Sequence, residues 1–290
     1  MVGSGRALSD AALQATLAKQ RAAYAAVDDH VHFGTTRLVG IGSGSTVIFV
    51  VERLAQRLKQ QQQEQQPSQT LTACVPTSFQ ATQLILDAAL PLGDLNQYPD
   101  LDVAFDGADE VVQATASDAH GKRPFHLIKG GGACQLQEKL VASGARRFVI
   151  VADDSKQATA VEADAPPRLG SRWRRGVPLE VHEKAYRLVQ HALAKQLGGH
   201  AAVHAPLRMA VNKAGPVVTD SGHVVLDLMW KPATPDTPPE ATEAYWLADP
   251  VRLDALLHAI PGILETGLFC GMAEQAYFGT QQGGVEIWNR

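Results

Sequence analysis

Leu38-Val39-Gly40-Ile41-Gly42-Ser43-Gly44-Ser45-Thr46 runs from a short apolar stretch into a glycine-rich turn, and the apolar residues that follow, Val47, Val50, Val51, Leu54 and Leu58, fall at helical spacing. A strand that turns through glycines into a helix is the opening of a strand–helix–strand unit, and the pattern continues. The run 71–75 reads as the next strand, and Thr77-Ser78-Phe79-Gln80 has the spacing of a capping box for a following helix. The runs 101–105, Phe125–Ile128 and 148–151 complete a set of short strands of the buried type. Such alternation predicts an α/β fold with a largely parallel sheet and helices on both faces. Beyond Lys156 the rhythm gives way to Pro-bounded, mixed segments, so a smaller α+β domain is expected over 158–257, with 1–157 and 258–290 forming the main domain. A Gln tract at 60–66, broken by Glu64, reads as a solvated helix end running into a surface loop, and the Pro/Thr-rich 232–239 reads as a long loop.

The bulk composition narrows the function classes. A chain of 290 residues, 45% hydrophobic and 19% charged, has the make-up of a globular protein with a sizeable core. Its formal net charge of -4 offers no global basic field for nucleic acid, so an anionic ligand must be held by a few placed groups. Cys74, Cys134 and Cys270 are far apart and form no CxxC, which points to a reducing compartment rather than a disulfide framework or a zinc knuckle. No apolar run approaches the roughly 18 residues of a membrane span, and the first residues lack the layout of a secretory signal. A cytoplasmic location without membrane partners is expected.

Four unusual segments fall at predicted strand ends, where ligands bind in sheets of this type. In the first, the glycines let the backbone approach an anion, the helix N-terminus presents free N–H groups, and Ser43, Ser45 and Thr46 add hydroxyl donors. The Gly-Lys-Ser/Thr ending of a nucleotide loop is missing, and the spacing is wrong for a dinucleotide fingerprint, with Glu64 inside the Gln tract where a ribose-binding acid would be needed. A phosphate is the better match, against a plain glycine turn with a Ser/Thr cap. The second, Asp106-Gly107-Ala108-Asp109-Glu110, places two carboxylates three residues apart, suited to acid–base work or to orienting hydroxyls. The competing readings are an Asp-Gly turn before a charged helix start, or a divalent-cation site, which lacks a supporting third ligand.

Lys129-Gly130-Gly131-Gly132, followed by Glu138, is the most informative segment. Three consecutive glycines are costly to order, so they imply special dihedrals or a backbone that nearly touches a ligand. On the next helix, Leu136 and Leu140 mark one side, and Glu138, about 200° from Leu136 at about 100° per residue, points away from it. The alternative is an exposed helix glutamate beside Lys139. The fourth segment, Asp153-Asp154-Ser155-Lys156, offers a lysine that can pair with phosphate as a point charge. The ten histidines show no ligand spacing; His182-Glu183 begins a zinc-protease pattern but Tyr186 stands where the second His belongs.

Taken in order, GIGSGST, VPTSFQATQL, DVAFDGADEV, LIKGGGACQLQEKLVA, VIVADDSK, MAVNKAGPVVTDSG and IPGILETGLF resemble type A ribose-5-phosphate isomerases, with wording closer to the eukaryotic branch. The resemblance implies a Rossmann-like main domain, a smaller ferredoxin-like domain, and no metal or organic cofactor. It implies substrate loops at Ser43, Gly44, Ser45 and Thr46, at Asp106, Gly107, Ala108 and Asp109, and at Lys129, Gly130, Gly131 and Gly132. Glu138, nine residues after the KGGG lysine, matches the family's catalytic base, Lys156 a substrate-binding lysine, and Lys19 an N-terminal lysine near the phosphate. A homodimer or homotetramer is the expected assembly. Departures are Val112, where the family pattern carries Asp, and a long 157–176 region. The expected chemistry is aldose–ketose isomerisation of a sugar phosphate through an enediolate, with Glu138 as base, Lys129 and the glycine amides facing the developing oxyanion, and Asp106 and Asp109 orienting hydroxyls. The rivals are an amino-sugar phosphate deaminase and a non-catalytic sugar-phosphate sensor, which would have no use for an intact Glu138 and Lys129.

Overall fold

The computed structural model describes residues 10–63, 71–161 and 165–290. Helix α1 (Asp10–His30) leads into β1 (Leu38–Ile41), α2 (Val47–Gln63), β2 (Ala73–Pro76) and α3 (Phe79–Asp87). After β3 (Val103–Asp106) come β4 (Glu110–Gln113), β5 (Phe125–Ile128), α4 (Gln135–Ser143) and β6 (Phe148–Asp153). The second half contributes β7 (Val177–Val181), α5 (Tyr186–Gln196), β8 (Val203–His204), β9 (Val224–Trp230), α6 (Glu243–Ala248) and α7 (Pro250–His258). The chain closes with β10 (Ile263–Thr266), β11 (Leu268–Cys270), β12 (Gln275–Gly279) and β13 (Val285–Asn289).

The main sheet has six strands in the order β13-β12-β6-β3-β1-β2, all parallel except the edge strand β13, so the α/β expectation holds. Side chains alternate across it. Val39, Ile41, Val103, Phe105, Val149, Val151 and Tyr277 pack under α1, α2 and α3, while Ala104, Phe148, Ile150, Ala152 and Phe278 face the opposite way. That second face is covered by Val141 and Ala142 of α4 and by Phe125, Leu127 and Phe269 of a small three-stranded antiparallel sheet, β11-β5-β4. Each fully buried phenylalanine contributes roughly 1.5–3 kcal/mol to holding the layers together. A four-stranded antiparallel sheet, β10-β7-β9-β8, carries α5, α6 and α7 around its own core.

Several local expectations need correction. Phe125–Ile128 is buried as expected but belongs to the antiparallel sheet, because an apolar run reports burial and not partner direction. Glu110 opens a strand rather than a helix. The cap of α3 is Ser78, whose hydroxyl accepts from Ala81 N–H at 3.1 Å, so the box does not start at Thr77. Gln80 instead accepts from Gly44 N–H at 2.8 Å. On α4, Leu140 is 48% exposed, and the buried stripe is Gln135, Glu138, Val141 and Ala142. Glu138 lies on that buried stripe, on the side away from Leu140, as its helical phase predicts. Of the Gln tract, 60–63 end α2 and the rest lies outside the described residues. The 232–238 stretch is loop, as expected. Among the described residues no helix is long and apolar enough to cross a membrane.

A polar cluster ties α4 to α7 and β10. Lys139 Nζ donates to Glu265 Oε1 at 2.6 Å and to Leu268 O at 2.8 Å, and His258 Nε2 lies 2.8 Å from Glu265 Oε1. The hydrogen bond to Glu265 raises the His258 pKa above its ordinary value despite partial burial, with Asp254 adding to the effect. A raised histidine pKa contributes stability that is complete below about pH 6.5 and is lost as pH rises through the folded-state value. The melting-temperature advantage of the wild type over His258→Gln is therefore expected to be largest near pH 6 and to shrink toward about pH 9 in thermal melts across that range. A pH-independent gap would show that His258 does not carry it.

Candidate active site

The chain order across the main sheet reverses between β1 and β3, since β1 is followed by β2 on one side and β3 returns on the other. Two loops leave the carboxyl ends of these neighbouring strands at that switch point, which is where open α/β sheets bind ligands. Gly42 N–H donates to Phe105 O at 2.8 Å, and Ser43 N–H donates to Asp106 Oδ1 at 3.0 Å, so the loop after β1 is fastened to the end of β3. Only glycine permits this approach: a Cβ on Gly42 would lie 2.1 Å from Asp106 Oδ1 and 2.6 Å from its Cα.

Beneath the loops sits a buried cluster of one ammonium and two carboxylates. Lys129 is 3% exposed, and its Nζ lies 2.9 Å from Asp106 Oδ2, 3.3 Å from Glu138 Oε1 and 2.6 Å from Gly107 O. Burial alone would push the ammonium down, but Asp106 and Glu138 more than offset it and hold its pKa above the ordinary lysine value. Asp106 is pushed up to about 7, first by burial and then by repulsion from Glu138. Glu138 Oε1 also accepts from Ser43 Oγ at 2.5 Å. Its other oxygen, Oε2, is buried and, among the described residues, has no hydrogen-bond partner. The neighbouring Cys134 thiol, 3.2 Å from Ser43 Oγ, is pushed up by burial and by Glu138, so it stays protonated and unreactive.

The glycine loop between β5 and α4 forms one wall. Gly130 has φ +99°, a conformation that disfavours a side chain, and Ala133 holds φ +60° despite its Cβ. Gly131 N–H donates to Asp109 Oδ2 at 2.8 Å; burial raises the Asp109 pKa, and that hydrogen bond works against the rise. On the opposite side, Lys19 Nζ donates to Ser45 Oγ at 3.0 Å and lies 3.9 Å from Asp153 Oδ2, beside the N-terminus of α2.

These groups enclose a cavity of about 490 Å³. Lys19, Ser43, Gly44, Ser45, Thr46, Gly107, Ala108, Asp109, Lys129, Gly130, Gly131, Gly132, Glu138 and Lys156 all line it. Asp106 is the exception: it is 2% exposed and lies behind the wall, with its oxygens engaged by Ser43, Gly107 and Lys129. Glu138 is 4% exposed, and its side chain lines the cavity.

Residues 73–283 match the family of ribose 5-phosphate isomerase A (phosphoriboisomerase A). The chain belongs to that family. It is 42% identical over 274 residues to the ribose-5-phosphate isomerase of Homo sapiens, covering 93% of this chain and 72% of that one. Its structure resembles ribose 5-phosphate isomerase A of Methanocaldococcus jannaschii, with a TM-score of 0.71 at 32% identity over 94% of this chain and 98% of the other. A D-ribose-5-phosphate isomerase solved in complex with phospho-erythronic acid matches with a TM-score of 0.69 at 28% identity, over 94% and 98% of the two chains.

The cavity also takes in residues that the sequence did not mark as site residues. Ser78, Phe79, Gln80, Cys134, Ala152 and Asp220 also line the cavity. Phe79 is 71% exposed at the mouth, and Asp220 Oδ2 accepts its N–H at 2.7 Å across 141 residues of sequence. Both lie inside family-like stretches, VPTSFQATQL and MAVNKAGPVVTDSG, but nothing in their spacing signals that they meet.

The close approach at Gly42 gives a direct test of how the cluster is assembled. Gly42→Ala is expected to destabilise the fold by roughly 1–3 kcal/mol, because the new methyl overlaps backbone that cannot yield cheaply. Urea unfolding of the two proteins measures this; an unchanged midpoint would show that the loop is not fastened as described.

Proposed function

We propose that the protein interconverts ribose 5-phosphate and ribulose 5-phosphate through an enediolate, with Glu138 as the base. The observation that carries this is the asymmetry of the Glu138 carboxylate. One oxygen is fixed by Ser43 and Lys129, while the other is buried and, among the described residues, without a hydrogen-bond partner, in a side chain that lines the cavity. An acceptor held that way is ready to take a proton from a bound carbon acid.

The cavity is electrically polar. At one end the Glu138 carboxylate and the Lys129 ammonium line it, with Asp106 behind them, whereas Lys19, Lys156 and the α2 N-terminus stand elsewhere around it with the hydroxyls of Ser45 and Thr46. A sugar phosphate binds with its phosphate among these donors, which places its carbonyl end near Glu138. Glu138 Oε2 then removes the C2 proton, the C1 carbonyl becomes the enediolate oxygen, and the hydroxyl proton on O2 passes to O1. Returning the carried proton to C1 completes the ketose. No electron acceptor is needed, since two hydrogens only change places.

Asp109 lines the cavity and orients sugar hydroxyls for ring opening, whereas Asp106 acts from beneath by holding Lys129. All three nearest neighbours of Lys129 Nζ are acceptors of the protein itself, so its charge serves the oxyanion as a fixed field and the loop amides serve it as donors. The same reading takes the protein as a cytoplasmic homodimer or homotetramer without nucleic-acid or membrane partners. It also treats 1–157 with 258–290 as the catalytic part and 158–257, whose sheet takes in β10, as the smaller one.

Ketose formation from ribose 5-phosphate is expected with a chelator present, and Glu138→Gln is expected to lower kcat at least about 10²-fold. Near-normal turnover by this variant would remove Glu138 as base, and ammonia release from an amino-sugar phosphate would favour the deaminase reading. Lys156→Ala is expected mainly to raise KM, as loss of a remote binding group does when the chemical step is intact. Steady-state kinetics check it; an unchanged KM would take Lys156 out of the phosphate site.

A further inference from the structure

The four-stranded sheet supplies none of the base, lysine or hydroxyl groups just described, yet a side chain from the segment between β8 and β9, bonded along β9, reaches the glycine wall of the cavity. Arg208 is 8% exposed and is tied into the sheet by its own backbone, with its N–H donating to Val225 O at 2.8 Å and its carbonyl accepting from Val217 N–H at 2.8 Å. Its guanidinium grips the Asp227 carboxylate in a two-pronged pair, with Nε to Oδ2 at 3.0 Å and a second bond to Oδ1. The remaining prong, Nη1, donates to Gly130 O at 2.8 Å and lies 3.4 Å from Gly131 O.

The Gly130 carbonyl and the Gly131 N–H belong to one planar peptide unit and point in opposite directions. Arg208 holds the carbonyl side at 2.8 Å, and Asp109 holds the N–H side at 2.8 Å. A carbonyl that accepts from a guanidinium polarises its peptide and strengthens the N–H on the far side as a donor. A chain of contacts thus runs from Asp227 through Arg208 and a single glycine peptide to the Asp109 carboxylate in the cavity.

We propose that Arg208 is a positioning residue for the isomerisation, setting the orientation and the protonation of Asp109 through the Gly130–Gly131 peptide. The proposal rests on the role given to Asp109 above. It also accounts for a buried ion pair beside three consecutive glycines: without an anchor on the carbonyl, a loop free to rotate its peptides would not keep one N–H aimed at Asp109. A planar fork suits the task, because one guanidinium can hold a carboxylate and a carbonyl together, which a lysine ammonium does less rigidly.

A double-mutant cycle between the two ends of the chain of contacts tests it. Asp109→Asn alone is expected to slow kcat; if it does not, the role given to Asp109 falls and the proposal for Arg208 falls with it. Replacing Arg208→Met together with Asp227→Leu removes both charges at once and leaves neither buried unpaired. This pair is expected to lower kcat about tenfold with little change in KM, and to cost less than about twofold when Asp109 is already Asn. Arg208→Lys, which keeps a charge and a donor, is expected to recover part of the loss, and it carries the same cycle if the apolar pair does not fold. Wild-type kcat in the folded apolar pair, or a full tenfold loss in the Asp109→Asn background, would overturn the proposal.

Discussion

The ammonium of Lys129 is the constraint around which the rest is arranged. It lies in a place with almost no water, within 3.3 Å of both the Asp106 and Glu138 carboxylates. Two acids that close repel each other, and burial penalises every charged form, so removal of the lysine would leave the carboxylates to protonate or to separate. Burial first, and repulsion from Glu138 second, raise the Asp106 pKa even with Lys129 beside it. Glu138 is held by Ser43 at one oxygen, and among the described residues its second oxygen has no hydrogen-bond partner.

Building such a cluster makes demands on parts of the fold that are far apart in sequence. Strand β3 brings Asp106, the end of β5 brings Lys129, and α4 turns Glu138 inward as its Val141 and Ala142 pack into the core on the second face of the main sheet. The four-stranded sheet adds a second layer of support. Glu180 of β7 accepts the Leu136 N–H at 3.3 Å, serving the first turn of α4, whose own cap residue Cys134 makes no side-chain bond there. Gly267 N–H donates to Pro178 O at 2.7 Å, and Lys129 N–H donates to Gly267 O at 2.8 Å. Lys129 is therefore fixed by backbone as well as by charge.

Much of this was legible in the residue order. The strand–glycine–helix start at Leu38 to Thr46, the DGAD turn and the KGGG loop announce themselves because each departs from what a plain strand end requires, and all came together at one cavity. What was misread follows a physical pattern. The buried face of α4 was not evident from its leucines, because that face carries Gln135 and Glu138 beside Val141 and Ala142, so polarity there does not mark solvent. The direction of β5 was hidden because a strand buried on both faces looks the same in parallel and antiparallel sheets. Phe79, Asp220 and Arg208 were not visible as site residues because each acquires its role from a partner brought near only by the tertiary fold.

The isomerisation that this arrangement supports moves charge very little, and that decides why a fixed lysine suffices. In the proposed reaction one negative charge passes from the base to the enediolate oxygen of a substrate held against the same wall. The total does not change, and the compensating ammonium is already in place, so neither solvent nor protein must reorganise much as the charge shifts. A mobile surface lysine would have to be recruited at each turnover, losing the advantage of a preset field. Burying Lys129 beneath Gly107 and Phe269, with its Nζ 5.4 Å from the centre of the phenylalanine ring, costs desolvation once, during folding, and removes that cost from the chemical step.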